Sequence, residues 1–307
     1  MNNPLHPHQP QRLSDTTKGL IAGLLVVACW SGFNIVSRFG SKGLFTPFDL
    51  AAMRYGVSGL LGGFYFLRNT PFADWPRYFV LSVFGGLGYG LFVYSGFSFA
   101  PSAHAGIFVN GGIPFCTAVL VALTTGLHLA RHTMLALALS ACGLLLIGID
   151  SLLSHHGQNE LIGDALFLAA AMSWSIFGLL MRRWQIRPVL GVCGIAFFAL
   201  LLYSPVYLLY LPKNLPTAGW GDIALQCVYQ GFIAAMLAAG LYSYANQKIG
   251  ACQASMMLSL VPAVSAIGAY FILDEQLTWT VMAGIVVVSV GAVIGAMPVR
   301  GSERVMR

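Results

Sequence analysis

The amino-acid sequence predicts an all-α membrane protein with ten transmembrane helices in two inverted five-helix repeats. Three observations support this prediction: few charged residues, ten separate apolar runs, and a sequence match between the two halves. Charged residues make up 8% of the 307 residues and hydrophobic residues 57%, with a mean hydropathy of +0.76. Soluble domains carry about 25% charged residues, so a lipid bilayer is the expected solvent for this chain.

Ten apolar runs follow one another, and most approach the roughly 20 residues that a helix needs to cross a bilayer. They cover 19–37, 48–67, 78–98, 103–125, 132–150, 162–181, 188–211, 223–245, 252–272 and 279–297. These runs are continuously apolar, whereas barrel strands alternate apolar and polar residues. The first run is longer than the core of a signal peptide, so we interpret it as a retained helix.

The runs divide the chain into five parts. We expect a polar tail at 1–17, a first repeat at 18–150, a linker at 151–161, a second repeat at 162–297 and a basic tail at 298–307.

The Lys and Arg residues predict the topology. With the N-terminus in the cytoplasm, twelve of the sixteen fall in cytoplasmic segments, while Arg38, Lys42 and Lys213 fall outside and Arg54 lies within a span. Cytoplasmic loops of membrane proteins are enriched in Lys and Arg. The pattern therefore predicts a multi-pass protein of the inner (plasma) membrane with both termini in the cytoplasm. The isolated basic residues form no patch with aromatic residues between them, so we do not expect nucleic-acid binding.

The two halves of the sequence match each other. Trp30, Ser31, Phe33 and Arg38 recur 144 residues later, and the pairs Tyr94/Tyr242, Pro114/Pro262 and Gly143/Gly291 are separated by 148 residues. A unit of five helices that follows itself must be inverted relative to the first copy. Inverted repeats are a recurring architecture of secondary transporters, with the substrate site near the membrane midplane. A duplicated bundle without transport is the alternative.

The chain resembles the EamA-type branch of the drug/metabolite transporter superfamily from about residue 18 to 297. The resemblance rests on the Trp-x7-Arg spacing in both halves, on Arg54 in its Ala-Ala-Met-Arg-Tyr segment, on the segment 259–262 and on the segment 273–278 with Glu275. This sequence has Leu127 where the first half should carry its own acidic residue, and Asp274 where glycine is usual. These departures weaken a mechanism that needs symmetric carboxylates.

The resemblance and the repeat together predict a non-enzymatic secondary transporter that moves an amino acid or similar small metabolite by alternating access, with export favoured. An importer of a vitamin-like or nucleoside-like solute is the alternative. An integral-membrane enzyme would need clustered catalytic residues, and no such motif occurs.

Polar groups in membrane spans tend to face a cavity, and aromatic and amide side chains are suited to binding a small solute. On this basis we select candidate substrate-binding residues, and for Arg54 we favour bracing between helices over substrate contact. The candidates are Trp30, Asn34, Arg54, Tyr89, His104, Asn110, Trp174, Tyr229, Tyr242 and Gln253. The glycines before Pro114 predict a kink whose freed carbonyls face the substrate. We expect Tyr203, Tyr207 and Tyr210 to lie in an interfacial belt.

Glu275 is the candidate for proton coupling. Its place at the edge of a run favours a capping role beside Asp274, and proton exchange through His104 is the other possibility. The six cysteines lie singly in apolar runs and the histidines form no metal motif, so we expect neither a metal nor a cofactor. Membrane lipids and a small solute are the expected partners, and we expect a monomer or a weak dimer. Whether protons take part is left open.

Overall fold

The computed structural model describes residues 14–125, 131–153, 157–249, 254 and 257–296, and the chain within these ranges is mostly helical and contains no strand. The helices described are α1 (Asp15–Lys42), α2 (Pro47–Asn69), α3 (Phe72–Phe99), α4 (102–125), α5 (Arg131–Leu153), α6 (Gly157–Arg183), α7 (Pro188–Tyr210), α8 (Trp220–Ile249), α9 (Val261–Leu273) and α10 (Trp279–Ala296). They confirm the predicted all-α membrane fold of ten helices in two repeats.

Six of these helices are long and apolar enough to cross a membrane: α1, α3, α4, α6, α7 and α8. Three shorter apolar helical segments lie within α5, α9 and α10. The remaining helix, α2, has 23 residues and carries Asp49 and Arg54. Asp49 and Arg54 therefore have to be accommodated inside the bundle, because lipid would not solvate them, whereas the third charged residue of α2, Arg68, lies exposed in its last turn.

Local sequence signals set several helix ends. Thr46 and Asp49 form a capping box at the start of α2, and Pro47 occupies the first turn. Such a box satisfies backbone N–H groups that have no partner within the helix. At the end of α9 the chain turns through Asp274, whose φ is 52°. This left-handed conformation favours glycine, which explains why an aspartate is an unusual residue there.

The two repeats are interleaved. The second helix of one repeat packs along the second helix of the other, α2 on α7, and the two fifth helices pack together in the same way, α5 on α10. The first helix of each half packs on the third helix of the other half, so that α1 contacts α8 and α6 contacts α3. This exchange places helices of both halves around one central space.

At each end of the bundle, residues that are far apart in the sequence contact one another. At one end Arg38, near the end of α1, contacts Glu275, which follows α9, and Glu275 contacts Ser102 at the start of α4. Asp164, near the start of α6, contacts His104 close to Ser102. We call this the Glu275 end. Helix α1 therefore ends where its counterpart α6 begins, so the two repeats are inverted.

The opposite end, here called the Gln185 end, holds the connection between α6 and α7. There Asp15 at the start of α1 forms an ion pair with Lys248 near the end of α8, with 2.9 Å between Oδ2 and Nζ. Met181 near the end of α6 packs against Gly191 near the start of α7.

Three helices contain π-helical segments. They cover Ser82–Gly88 in α3, Gly106–Gly111 in α4 and Cys227–Leu237 in α8. Moving the first segment by the 148-residue offset gives 230–236, which lies inside the third, so the irregularity is duplicated with the repeat. Segments of this kind are frequent at functional sites. In α4 the segment ends at the glycines for which the sequence predicts a kink.

The expectation of an interfacial tyrosine belt is wrong for two of its three members. Tyr210 is exposed, but Tyr203 and Tyr207 are buried. The Tyr207 hydroxyl donates to Oδ1 of Asp49 at 2.5 Å, and the Tyr203 hydroxyl donates to the Phe48 carbonyl at 3.0 Å. A buried carboxylate such as Asp49 requires donors, and the Tyr207 hydroxyl is one of them, beside the backbone N–H groups of Thr46 and Asn214.

Candidate functional site

A cavity of about 1000 Å³ lies between the two halves of the bundle. Side chains and backbone of both repeats line it, and each of the three π-helical segments contributes to the lining. A volume of this size is at the upper end of pockets for small molecules, which are about 300–1,000 Å³.

Seven of the ten predicted site residues line this cavity. They are Trp30, Asn34, Arg54, Tyr89, Asn110, Trp174 and Tyr242. The structure thus brings together residues from α1, α2, α3, α4, α6 and α8, although up to 212 positions separate them in the sequence.

Two tryptophan–tyrosine pairs form part of the lining. The rings of Trp30 and Tyr242 are 5.6 Å apart between centroids, and those of Trp174 and Tyr89 are 4.9 Å apart. Trp30 and Trp174 are repeat counterparts, and each pairs with a tyrosine from a helix of the other half. The Trp30 Nε1 also donates to the Ala234 carbonyl at 3.4 Å. These contacts hold the rings in place at the boundary between the halves.

Arg54 brings a positive charge to the cavity. Its guanidinium carbon lies 5.4 Å from the ring centroid of Phe33 and 5.8 Å from that of Tyr89. Aromatic faces attract cations at such distances. Among the described residues that line the cavity there is no aspartate or glutamate, whereas Arg182 is a second cationic residue in the lining. The charged groups of the described lining are therefore all basic.

The two predicted asparagines differ in their surroundings. Asn34 is buried, and its Nδ2 donates to the Ser265 hydroxyl of α9 at 2.9 Å. Asn110 lies in the π-helical segment of α4 and is partly exposed in the cavity. Asn34 thus connects the first and second repeats, while Asn110 presents a polar group where the helix is irregular.

The other three predicted residues are not part of the described lining. His104 and Tyr229 make contacts elsewhere in the bundle. The His104 Nδ1 is 2.8 Å from Oδ1 of Asp164, and both side chains are buried. The Tyr229 hydroxyl donates to the Cys29 carbonyl at 3.4 Å and packs against Gly32. Gln253 lies outside the described residues.

Sequence reasoning missed several lining residues. Phe33, Tyr55, Ser58, Gly178, Arg182 and Gln185 also line the cavity. A helical face could have identified Phe33, because it lies three residues after Trp30. Arg182 lies eight residues after Trp174, on the same face of α6, but its place at a helix end, like that of Gln185, gave an ordinary reason for a charged or polar residue.

A buried ionic cluster closes the Glu275 end. Oε1 of Glu275 accepts from the Arg38 Nε at 2.9 Å and lies 3.5 Å from the Lys42 Nζ. Oε2 of Glu275 accepts from the backbone N–H of Ser102 at 2.9 Å. Arg38 also donates through Nη1 to the Phe97 carbonyl. Glu275 therefore links α1, the start of α4 and the segment after α9.

The carboxylate of Glu275 caps α4, not its own neighbouring helix. An acidic group at the first N–H groups of a helix is favourable because those groups have no intrahelical partner. The predicted position at the edge of the membrane-spanning run agrees with this place. The predicted role in proton coupling remains a prediction.

A chain of neutral side chains lies between the cavity and this cluster. The Tyr94 hydroxyl donates to Oε1 of Gln230 at 3.0 Å, and Nε2 of Gln230 donates to the Ser37 hydroxyl at 3.0 Å. Gln226 donates to the Val36 carbonyl at 2.9 Å. Tyr94, Gln226 and Gln230 are fully buried, so this layer fills the space between α1, α3 and α8.

The cavity is open at the Gln185 end. Its lining continues to Arg182, Gln185 and Pro188, all of which are exposed. At the opposite end, Arg38 and Glu275 are absent from the described lining. The structure therefore has one accessible end and one end closed by hydrogen-bonded and ionic contacts.

Comparison with known proteins identifies the architecture. The EamA-like transporter family matches residues 17–149 and 161–296. A "Probable amino-acid metabolite efflux pump" of Escherichia coli (strain K12) is 27% identical over 93% of this chain and 97% of its own length. A protein of the same name in Salmonella typhimurium is 25% identical over 90% of this chain and 94% of its own length.

An uncharacterized transporter of Bacillus subtilis is 24% identical over 73% of this chain and 76% of its own length. One solved structure superposes with a TM-score of 0.61, covers 91% of this chain and 97% of its own, and is 18% identical. At that identity the likeness concerns the fold.

Proposed function

The chain belongs to the EamA-like transporter family, and from this we propose that it is a secondary transporter that exports an amino acid or a related small metabolite from the cell by alternating access. The family establishes a multi-pass membrane protein that handles a small solute. Efflux, mechanism and substrate class are the parts that we propose.

The observation that supports alternating access is the contrast between the two ends of one cavity. About 1000 Å³ of space lies between inverted halves, with exposed Gln185 at one end and the Arg38–Glu275 pair at the other. Inverted repeats can exchange conformations, which opens one central site to either side in turn. Of the two ends, the described lining reaches exposed residues at the Gln185 end and does not include Arg38 or Glu275 at the other.

The Arg38–Glu275–Ser102 contacts, here called the closing cluster, would have to separate for the cavity to open at the other end. They connect α1, α4 and the end of α9, which come from different halves. A movement of one half against the other therefore acts directly on these bonds. The His104–Asp164 pair joins α4 to α6 at the same end and would be affected by the same movement.

The excess of Lys and Arg on one side supports an orientation. We infer from this excess that the Gln185 end faces the cytoplasm and that the open cavity corresponds to an inward-facing state of an inner-membrane protein with cytoplasmic termini. A cavity that is open to the cytoplasm and lined by aromatic residues is suited to collecting a solute before export.

The proposed substrate class rests on the relatives and on the lining. Two relatives are named as amino-acid metabolite efflux pumps. The paired rings of Trp30/Tyr242 and Trp174/Tyr89 provide apolar surface, and the amides of Asn34 and Asn110 provide hydrogen-bonding groups. This combination is suited to a small molecule with an apolar body and a polar end.

Reconstitution tests the proposal. Purified protein in liposomes should exchange radiolabelled amino acids against an internal unlabelled pool, with saturable rates, while protein-free liposomes should not. In cells, a deletion strain should accumulate the same compound and become sensitive to it. No saturable exchange for any compound of an amino-acid, vitamin and nucleoside panel would contradict the proposal, and a growth requirement for the solute would show import instead.

A further inference from the structure

We propose that Arg54 is the carboxylate-binding residue of the cavity, and that the substrate is therefore a carboxylate with an apolar or aromatic body rather than a cationic compound. This inference rests on the proposed transport function, because it specifies the solute that the same cavity binds. It goes beyond that function by assigning one recognition contact and by excluding a class of compounds.

The position of Arg54 is the first argument. It lies in α2, which packs along α7, and its side chain lines the cavity between the halves. An arginine within a membrane span is costly, and such residues mark substrate pathways or pair with other groups. The described lining contains no carboxylate that could neutralise Arg54. A substrate carboxylate would supply the missing negative charge.

The aromatic surroundings are the second argument. Phe33 and Tyr89 lie 5.4 and 5.8 Å from the guanidinium carbon. These rings stabilise the cation, but they cannot accept two parallel hydrogen bonds as a carboxylate can. The Tyr89 ring also contacts Trp174 at 4.9 Å. A solute held by Arg54 would therefore have aromatic surface immediately beside its carboxylate.

The charge of the described lining is the third argument. Its charged residues are Arg54 and, at the exposed mouth, Arg182. A cationic solute would meet repulsion at both places, in a site where low dielectric strengthens the effect. A zwitterionic amino acid or an N-modified amino acid with a free carboxylate avoids most of that repulsion.

A structural role for Arg54 is the competing explanation. Its contacts with Phe33 and Tyr89 join α2 to α1 and α3, so loss of the side chain would also loosen the bundle. Stability alone does not separate the two roles. A difference in affinity between an acid and its carboxamide separates them, because an arginine that only joins helices would not respond to the charge of the solute.

The experiment measures binding, not transport. Detergent-purified protein is titrated with a panel of apolar and aromatic L-amino acids, from L-leucine to L-tryptophan, each beside its carboxamide. The melting temperature reports binding, since a ligand raises apparent stability by mass action. Acetate, a carboxylate without an apolar body, is the control for simple anion binding.

We expect at least one acid of the panel to stabilise the wild type, with its carboxamide binding roughly 10- to 100-fold more weakly, as is typical for loss of a charge-assisted hydrogen bond. R54Q should remove this preference and R54K should keep part of it. R68Q removes the same charge from an exposed position of the same helix and should behave as the wild type.

Three results would overturn the assignment: equal binding of acid and carboxamide, an unchanged preference in R54Q, or stabilisation by no acid of the panel. Stabilisation by acetate as strong as by the amino acids would overturn the claim of an apolar body. Acid binding without flux in liposomes would instead contradict the transport function and leave the site intact. Flux of solutes without a carboxylate would support the transport function and contradict the assignment of Arg54.

Discussion

The Nε of Arg38 lies 2.9 Å from Oε1 of Glu275, although 237 positions separate the two residues and they belong to opposite halves of the protein. Both side chains are largely buried, with exposed fractions of 13% and 6%. The bond thus connects the first helix of one repeat with the last helix pair of the other. It lies at the end of the bundle opposite to the opening of the cavity.

Removing the charge of Glu275 should destabilise this end. E275Q keeps the shape of the side chain but leaves Arg38 buried without its carboxylate. Breaking a buried pair in this way costs about 3–5 kcal/mol, so the melting temperature in detergent should fall clearly. D15N, at the exposed ion pair of Asp15 with Lys18 and Lys248, should change it little, because exposed pairs are weak.

The double variant R38Q/E275Q provides the decisive comparison for the same pair. If the two side chains act together, its loss of stability should be smaller than the sum of the two single losses. Additive losses would mean that each residue acts through other partners.

Trp30→Ala should reduce transport more than it reduces the amount of protein in the membrane. The ring lines the cavity and contacts Tyr242, so its loss removes part of the proposed binding surface. F271A removes an aromatic side chain that is 75% exposed on α9 and should leave both quantities unchanged. Parallel losses of transport and abundance in W30A would indicate a packing role.

Asp164→Asn should lower turnover without weakening substrate binding. Asp164 bonds His104 at 2.8 Å, and neither residue is among the described lining of the cavity. The pair joins α4 to α6 at the closed end, so its replacement should alter the movement between states. Flux measured over a range of solute concentrations gives both constants. A raised half-saturation concentration with an unchanged maximal rate would contradict this role.

Gly163→Ala should destabilise the contact between α6 and the chain that joins α3 to α4. A Cβ at this position would lie 2.4 Å from the Ala100 Cβ and 2.8 Å from the Ala100 nitrogen, and backbone cannot move aside as a flexible side chain can. Overpacking of this kind costs about 1–3 kcal/mol. In the same helix, a Cβ at Gly178 meets nothing within 4 Å, so G178A should melt at or above the wild-type temperature. Equal melting temperatures for the two variants would contradict the close approach.

Gln185→Cys should be labelled from the cytoplasmic side. In a cysteine-free background, a membrane-impermeant maleimide should react with Q185C in inside-out vesicles and not in intact spheroplasts. L44C, at an exposed position between α1 and α2 at the other end, should show the opposite pattern. Labelling of both positions from the same side would refute the topology.

Much of the fold could be predicted because lipid imposes strict local requirements. A helix that crosses a bilayer must satisfy its backbone hydrogen bonds internally and must be apolar over most of its length. The runs that end near Arg38 and begin near Ser102 therefore identified α1 and α4 closely. The duplication of Trp30 in Trp174 identified the repeat, since a copied unit keeps its spacing.

The candidate site could be predicted only in part. Trp30, Asn34 and Arg54 were selected because they are polar or aromatic in apolar runs, and the structure places them in the cavity. The same reasoning selected His104, which pairs with Asp164 at the closed end. Composition marks a residue as unusual in lipid, but it does not say whether that residue faces a cavity or a buried partner.

The sequence by itself determined that this protein is a ten-helix membrane protein with two inverted halves, because apolar length, loop charge and internal repetition are local properties of the chain. Only the tertiary structure decided that Arg38 meets Glu275, that Arg54 lies beside Phe33 and Tyr89, and that the cavity opens at Gln185. The physical reason is that helices apolar on all sides carry little information about their rotation or neighbours. Those depend on close packing between helices that are distant in sequence.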